Sequence, residues 1–360
     1  MRRRSLLTTL AAGLLFTACS DSGPSGSATT APATSPSAAP TTSGAPTTTP
    51  ATEAPTTTEP PLTLDSLSGR VAIESTSCDE QLKETNNSPI GQICVLNLAD
   101  MSVVNLSDPA IDETSPRWSP DGTRLVFDSL VYGENQRLVI ANADGSGRVN
   151  VTGNKFYSSW ADWSPDGTTF LIGANILAPT TGVEMNPGDG FTLLPIDENA
   201  WHPTWSPDGE SVVYSSDLYG TPEELECQTL FVARVDGSDT RQLLADPAGG
   251  DALGPCAFDG AEWSPDGEWL VFAMSDNAGQ NLWVMRSDGS ELTQLTTGQF
   301  GGSRPTWSPD GTYILYSADD ATGQPQLYVR TFAGGADAQV LELPLPAGLL
   351  HGVNWVDWTA

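Results

Sequence analysis

The sequence predicts an all-β protein: a six-bladed β-propeller of four-stranded antiparallel blades, closed by the C-terminal strand pairing into the first blade. The first observation is a pentapeptide, Trp-Ser-Pro-Asp-Gly, which occurs five times, beginning at Trp118, Trp163, Trp205, Trp263 and Trp307. The spacings of 45, 42, 58 and 44 residues are typical of propellers and solenoids. The second observation is that the two ends of this array are complementary parts of one blade.

Each pentapeptide predicts a tight turn between two strands. Pro presets φ at the second turn position, Asp suits the third, and Gly accepts the positive φ that closes a hairpin. An apolar second strand follows, as in Leu125-Val126-Phe127, and then a third strand, a second tight turn and a short fourth strand. Four antiparallel strands in about 45 residues correspond to one propeller blade.

The ends of the array predict how the ring closes. Residues 70–75 resemble a second strand with no Trp turn before it, and residues 354–358 resemble a first strand with nothing after it. Pairing these segments would complete the first blade and remove the exposed edges of an open array. Counting this shared blade gives six.

These repeats resemble the propeller repeats of the TolB family, also called WD40-like or PD40 repeats, over residues 65–360. The resemblance implies the propeller fold. TolB itself carries an additional N-terminal domain where this chain has a Thr/Pro-rich stretch, so the resemblance does not imply a TolB-Pal role.

The N-terminus predicts export and a membrane anchor. Residues 1–18 have a positive start and a short apolar run, as in a signal peptide. Phe16-Thr17-Ala18-Cys19 resembles a bacterial lipobox, which implies a lipidated Cys19. Residues 19–62, rich in Thr, Pro, Ser and Ala, predict a disordered tether, and the propeller takes residues 63–360. We therefore expect an extracytoplasmic protein that is lipid-anchored to the bacterial cell membrane.

The cysteines predict disulfide bonds. Cys78, Cys94, Cys227 and Cys256 follow the lipobox cysteine, and an even number in an exported chain indicates two bridges. Three pairings are open. Proximity in the sequence favours Cys78 with Cys94 and Cys227 with Cys256.

Composition and motifs argue against several functions. The formal net charge of −30 with 15 basic residues repels nucleic acid and anionic headgroups. The chain has no Gly-x-Ser-x-Gly elbow, P-loop or Rossmann fingerprint, and it has two histidines. We therefore expect no enzymatic activity and no cofactor, with a divalent cation such as calcium as the alternative. The pentapeptide aspartates are explained by their turns.

The best candidate for a ligand site is the approach to each first strand, since the innermost strands border the central channel. Its residues differ between blades while the following pentapeptide does not change, which is typical of a site carried on a scaffold. The alternative is that they make ordinary polar contacts between blades. This candidate funnel comprises Arg117, Trp160, Asp162, His202, Glu262, Arg304, His351, Trp355 and Asp357.

The leading hypothesis is a non-catalytic binding or scaffolding propeller of the cell envelope. Its partners would be the membrane, through the lipid on Cys19, and an unknown envelope protein, peptide or glycan. One alternative is an extracytoplasmic hydrolase or lyase that uses channel carboxylates, with Asp162, Glu262 and Asp357 as candidate ligands of a divalent cation. Another is a purely structural envelope spacer.

Overall fold

The structure is a computed structural model that describes residues 60–76, 78, 91–108, 110–131, 136–151, 158–174, 183–186, 190–193, 200–217, 228–244, 256–276, 279–297, 300–332, 338–345 and 353–360. The signal segment, Cys19 and most of the predicted tether lie outside these residues. A short 3-10 helix (Leu64–Ser66) precedes the first strand. No helix in the described part of the chain is long and apolar enough to cross a membrane.

Five sheets are built from strands that follow one another in the described sequence. The first contains β4 (Asp112–Trp118), β5 (Arg124–Leu130), β6 (Arg137–Asn142) and β7 (Val149–Asn150). The second contains β8 (Ser158–Trp163), β9 (Phe170–Ala174), β10 (Val183–Asn186) and β11 (Gly190–Leu193). The third contains β12 (Trp201–Trp205), β13 (Ser211–Asp217), β14 (Gln228–Arg234) and β15 (Arg241–Gln242).

The remaining consecutive sheets follow the same order. One contains β16 (Cys256–Trp263), β17 (Trp269–Asp276), β18 (Gly279–Arg286) and β19 (Thr293–Gln294), and β20 (Phe300–Gly301) adds to it by pairing in parallel with β18. The next contains β21 (Ser303–Trp307), β22 (Tyr313–Asp319), β23 (Pro325–Thr331) and β24 (Val340–Glu342). All other pairings are antiparallel, so the predicted all-β propeller with four-stranded antiparallel blades is confirmed.

One further sheet combines the two ends of the described chain. It has the order β25 (Trp355–Thr359), β1 (Arg70–Ser75), β2 (Gln92–Asn97) and β3 (Val103–Asn105). β25 pairs with β1 without a register shift, from Arg70 opposite Thr359 to Glu74 opposite Trp355. β25 is therefore the inner strand of the sheet that continues with β1, β2 and β3.

The pentapeptide turns form as predicted. In the first repeat Gly122 has a φ of 64°, and Asp121 Oδ1 accepts hydrogen bonds from Ser119 Oγ at 2.6 Å and Thr123 N at 3.0 Å. The hydrogen bond from Ser119 is the largest cause that lowers the pKa of Asp121 to about 2. The other pentapeptide aspartates make the same bonds within their own turns. These contacts confirm that the turns explain the repeated aspartates.

The core lies between neighbouring blades. Val71 and Ile73 of β1 share one apolar cluster with Leu315 of β22 and Val329 of β23. The repeat tryptophans connect the blades as well, since Trp163 Nε1 donates to the carbonyl oxygen of residue 117 at 3.2 Å, and equivalent bonds occur elsewhere. Each blade therefore completes the apolar core of its neighbour.

The chain enters the propeller at its last consecutive blade. Leu62 N donates to Gln339 Oε1 at 2.6 Å, and Gln339 Nε2 donates to the carbonyl oxygen of Pro60 at 3.2 Å. These contacts begin slightly before the predicted domain start at residue 63.

One predicted disulfide is formed. Cys78 and Cys94 are bonded, with their Cα atoms 5.7 Å apart. Cys227 and the side chain of Cys256 lie outside the described part of the structure, so the second bridge stays a prediction.

Candidate functional site

The innermost strands carry a repeated backbone distortion at one end of the channel. Three residues before the pentapeptide Trp, φ is positive in five blades: Ser115 (53°), Trp160 (59°), His202 (46°), Gly260 (69°) and Arg304 (51°). The pairing with the second strand shifts register at the same place in each blade. Such bulges are common next to binding sites because they redirect a side chain. The four non-glycine residues each carry strain of about 1–2 kcal/mol.

Buried carboxylates hold two of these distorted residues in place. Glu74 Oε2 accepts from Ser115 N at 2.8 Å, and Asp128 Oδ2 accepts from Trp160 N at 3.0 Å. Each carboxylate lies on the second strand of the preceding blade. Burial raises the pKa of Glu74 and of Asp128, while these backbone hydrogen bonds act in the opposite direction.

The distorted residues surround a cavity, which we call the mouth cavity. Its volume, including its opening to solvent, is about 480 Å³. It lies where the inner strands begin, and the pentapeptide turns lie at their other end. It is lined by Ser115, Arg117, Trp160, Ala161, Asp162, His202, Pro203, Thr204, Gly260, Ala261, Glu262, Arg304, Pro305, Trp355 and Val356.

Aromatic rings form one side of the mouth cavity. The Trp160 ring lies 4.2 Å from the His202 ring and 5.3 Å from the Trp201 ring, between centroids. His202 stacks on Trp355 at 5.8 Å with an interplanar angle of 27°. The guanidinium carbons of Arg117 and Arg304 lie 4.9 and 4.8 Å from the centroid of Trp355. Both charges are therefore close enough for cation–π contacts with one indole.

Two buried nitrogen atoms of this cluster have no hydrogen-bond partner in the described structure. They are His202 Nδ1 and Trp355 Nε1, in residues that are 9% and 6% exposed. An unsatisfied buried polar group costs about 1–3 kcal/mol. Burial is the largest cause that lowers the pKa of His202 to about 3, and the positive charges of Arg304 and Arg117 act in the same direction. His202 is therefore neutral at physiological pH.

A second ring of side chains lies one residue before each inner-strand Trp, and four of its members line both the mouth cavity and the opening on the side of the pentapeptide turns. Arg117 Nη1 lies 3.1 Å from Glu262 Oε2 and 3.1 Å from Asp357 Oδ1. Asp357 Oδ2 accepts from Trp118 N at 2.6 Å in the next blade. This ring comprises Arg117, Asp162, Thr204, Glu262, Thr306 and Asp357.

The carboxylates of this ring are hard to ionise together. Burial raises the pKa of Asp162 to about 6 and that of Glu262 to about 7, although Arg117 opposes both shifts. Burial also raises the pKa of Asp357. For Arg117, burial lowers the pKa, but the three carboxylates outweigh this effect and the net shift is upward. Arg117 therefore stays positively charged within the channel.

The structure brings most of the predicted funnel residues together. The mouth cavity is lined by seven of them: Arg117, Trp160, Asp162, His202, Glu262, Arg304 and Trp355. Asp357 belongs to the second ring of side chains. It lines a wider opening, of about 1070 Å³, on the side of the pentapeptide turns. His351 lies outside the described residues.

Sequence reasoning missed Ser115, Gly260, Glu74 and Asp128. The last two had a readable signal, since each is a carboxylate within an otherwise apolar strand (Val-Ala-Ile-Glu and Leu-Val-Phe-Asp). Gly260 had none, because its importance depends on a neighbouring blade. A Cβ at Gly260 would lie 2.6 Å from His202 Cβ.

The proposed metal ligands face an arginine. Among the described residues, no group of three or more His, Cys, Asp or Glu side chains is arranged to hold a metal ion. Glu262 and Asp357 instead contact the Arg117 guanidinium, and Asp162 Oδ2 accepts from Trp205 N at 2.8 Å.

The fold and the mouth cavity define a β-propeller in which the same pentapeptide turn recurs in five blades. The side chains at one end of its channel differ from blade to blade. Residues 255–342 match the family described as PD40, TolB beta propeller domain. The recognition of TolB-type PD40 repeats in this chain is therefore confirmed.

Relatives in sequence and structure agree with this assignment. The chain is 28% identical over 195 residues to the uncharacterized protein Atu1656 of Agrobacterium fabrum, covering 52% of this chain and 59% of that protein. It is 34% identical over 114 residues to the Tol-Pal system protein TolB of Anaeromyxobacter dehalogenans, covering 32% of this chain and 23% of TolB. The crystal structure of TolB from Acinetobacter baumannii superimposes with a TM-score of 0.63 at 15% identity, covering 81% of this chain and 66% of that one. This structural likeness shows the fold.

Proposed function

We propose that this protein is a non-catalytic binding or scaffolding module of the cell envelope, built as a closed six-bladed ring and anchored by a lipid on Cys19. The mouth cavity is its contact site for an envelope protein, a peptide or a glycan. The observation that carries the proposal is the set of left-handed residues, which place different side chains around one cavity while the pentapeptide turns stay constant. Backbone strain of this kind is commonly kept where it serves a function.

The comparisons support a protein partner in the envelope. The relative of Anaeromyxobacter dehalogenans is named as a component of the Tol-Pal system, and proteins of a multi-component system bind other proteins. The chain spans 23% of that relative and 59% of the Agrobacterium relative. The partner is therefore proposed from the mouth cavity rather than transferred from TolB.

One observation favours the enzyme alternative. Burial raises the pKa of Glu262 to about 7, which is the range suited to general acid–base chemistry. Both of its oxygens are engaged, however: Thr306 Oγ1 donates to Oε1 at 2.8 Å and Arg117 donates to Oε2 at 3.1 Å. A hydrolase or lyase would have to break these bonds, so binding is the better supported proposal.

Cross-linking in cells tests the binding site. A photo-crosslinking amino acid replaces Trp160 in the mouth cavity, and in the matched control it replaces Val104, which is 55% exposed on β3. We expect one specific adduct from position 160 and none from position 104. Equal adducts at both positions, or none at position 160, would contradict the proposal.

The anchor has a separate test. Cys19→Ser removes the thiol that the lipid would occupy. We expect the protein to move from the membrane fraction to the soluble extracytoplasmic fraction. Unchanged membrane association of this variant would overturn the lipid anchor and leave the binding site standing.

A further inference from the structure

A short segment before the first strand binds to a neighbouring sheet. Residues 60–67, which we call the entry segment, lead into β1. Gln339, which directly precedes β24, holds the start of this segment. Its Oε1 accepts from Leu62 N at 2.6 Å, and its Nε2 donates to the carbonyl oxygen of Pro60 at 3.2 Å. One side-chain amide therefore satisfies two backbone groups of the entry segment.

The apolar side chains of the entry segment pack on a core that two sheets share. Leu62 and Leu64 are partly buried against this core, and Leu67 is buried within it at 5% exposure. The same core contains Leu315 of β22 and Val71 of β1. The entry segment therefore lies on the junction between the sheet of β21–β24 and the sheet of β25, β1, β2 and β3.

The first and last strands of the described chain meet at this junction. β25 pairs with β1, and the pair nearest to the entry segment is Arg70 with Thr359. Trp358 Nε1 also donates to the carbonyl oxygen of Ser68 at 2.9 Å, directly before this pair. Strand ends are the places where local opening costs least. Here the end of the β1–β25 ladder is followed at once by a segment that is bound to another sheet.

The two strands of this ladder are connected to the neighbouring sheet in different ways. β25 follows β24 in the chain and packs beside β21 and β22. β1 instead leads through β2 and β3 into the sheet of β4–β7. Separating β1 from β25 would therefore also pull the entry segment away from Gln339 and from the shared core. The entry segment adds these contacts to the hydrogen bonds of the ladder.

We propose that the entry segment acts as a clasp that holds β1 against β25, and that its release loosens this pairing while the other sheets stay intact. The chain before residue 60 continues directly from the entry segment, so a pull on that chain reaches the clasp first and β1 afterwards. The clasp is a conformational device between the N-terminal chain and the propeller. It requires the pairing of β25 with β1, and it is independent of the ligand of the mouth cavity and of the lipid on Cys19.

Hydrogen exchange of backbone amides in the intact protein tests the clasp. Gln339→Ala removes both hydrogen bonds to the entry segment and changes no residue of β1 or β25. We expect the amides that join β1 to β25 to exchange about tenfold faster, as for the loss of about one or two net hydrogen bonds. The amides that join β13 to β14 should keep their rates. In the matched control, Gln294→Ala changes an exposed glutamine on β19 and should leave both sets of amides unchanged.

A second variant tests the apolar part of the clasp. Leu64→Ala reduces the packing of the entry segment on the shared core and should accelerate exchange at the same β1–β25 amides. Leu292→Ala, which shortens a leucine that is 43% exposed, serves as its control and should have no effect there. Unchanged exchange between β1 and β25 in both clasp variants would overturn the proposal. Equal acceleration between β13 and β14 would also overturn it, because the entry segment would then contribute only to the general stability of the propeller.

Discussion

The buried arginine of the channel should be a position where loss of one charge strongly destabilises the propeller. Arg117 on β4 contacts Glu262 on β16 and Asp357 on β25, each at 3.1 Å. These partners lie 145 and 240 residues away in sequence, and β25 is the strand that completes the first blade. The perturbation is Arg117→Met, which keeps much of the side-chain volume and removes the charge.

The expected loss follows from burial. The side chains of Arg117, Glu262 and Asp357 are 10%, 20% and 12% exposed. Removing one partner of a buried pair typically destabilises a protein by about 3–5 kcal/mol, because the remaining charge is left uncompensated. The matched control is Arg234→Met, whose ion pair with Glu210 is 45% and 61% exposed. An exposed pair contributes little to stability because solvent screens it, so this variant should unfold almost as the parent does.

The loss should depend on pH. Burial already raises the pKa of Glu262 from 4.5 to about 7, and removing Arg117 removes the charge that opposes this shift. A carboxyl group whose pKa is higher in the folded than in the unfolded state binds more protons when folded, so stability falls as pH rises between the two values. The destabilisation by Arg117→Met should therefore be large at pH 8 and smaller at pH 5, where Glu262 and Asp357 can take up protons.

Urea unfolding at pH 5, 6.5 and 8, followed by tryptophan fluorescence, measures these differences. Adding Glu262→Gln to the Arg117→Met variant should recover part of the loss at pH 8, because it removes one of the stranded charges. A loss below about 1 kcal/mol at pH 8, as expected for exposed pairs, would refute the reasoning. So would a loss of equal size at pH 5 and pH 8.

Two further predictions concern the backbone and the disulfide. Gly260→Ala should destabilise the protein by at least about 1 kcal/mol more than Gly323→Ala, because both have positive φ but only Gly260 would also clash with His202. Equal losses in urea unfolding would show that the contact with His202 is unimportant. The double variant Cys78→Ser/Cys94→Ser should lower the free energy of unfolding by about 3 kcal/mol, since the bond closes a loop with a sequence separation of 16 residues. An unchanged urea midpoint would contradict this.

Local chemistry explains what the sequence predicted correctly. The pentapeptide specifies its turn through residues that touch each other, such as Asp121 with Ser119 and Thr123. A repeat of such turns is sufficient to predict four-stranded blades. The lining of the mouth cavity was also readable in part, since inner strands must border the channel, and Trp160 and Arg304 are among the residues that it contains.

The rest of the site depends on contacts between distant segments. Trp160, His202 and Arg304 have positive φ. The sequence does not predict this, because non-glycine residues rarely adopt positive φ. It depends on the bulge and, for Trp160, on a hydrogen bond to Asp128 in the preceding blade. In the same way, the role of Arg117 as a buried cation depends on Glu262 and Asp357, two carboxylates from distant strands that the fold brings beside it.

The residues that hold the blades together and the residues that line the mouth cavity lie on the same inner strands, at different positions along them. The repeat Trp packs between blades, the residue before it belongs to the second ring of side chains, and the residue two further back lines the mouth cavity. The bulge lies between the last two positions, so a change of side chain at the mouth need not disturb the turn or the packing below. This separation explains how five identical pentapeptides coexist with Ser115, Trp160, His202, Gly260 and Arg304 at the mouth. It also implies that the carboxylates of Glu74 and Asp128, which hold the distorted backbone, connect the shape of the cavity to the stability of the neighbouring blade.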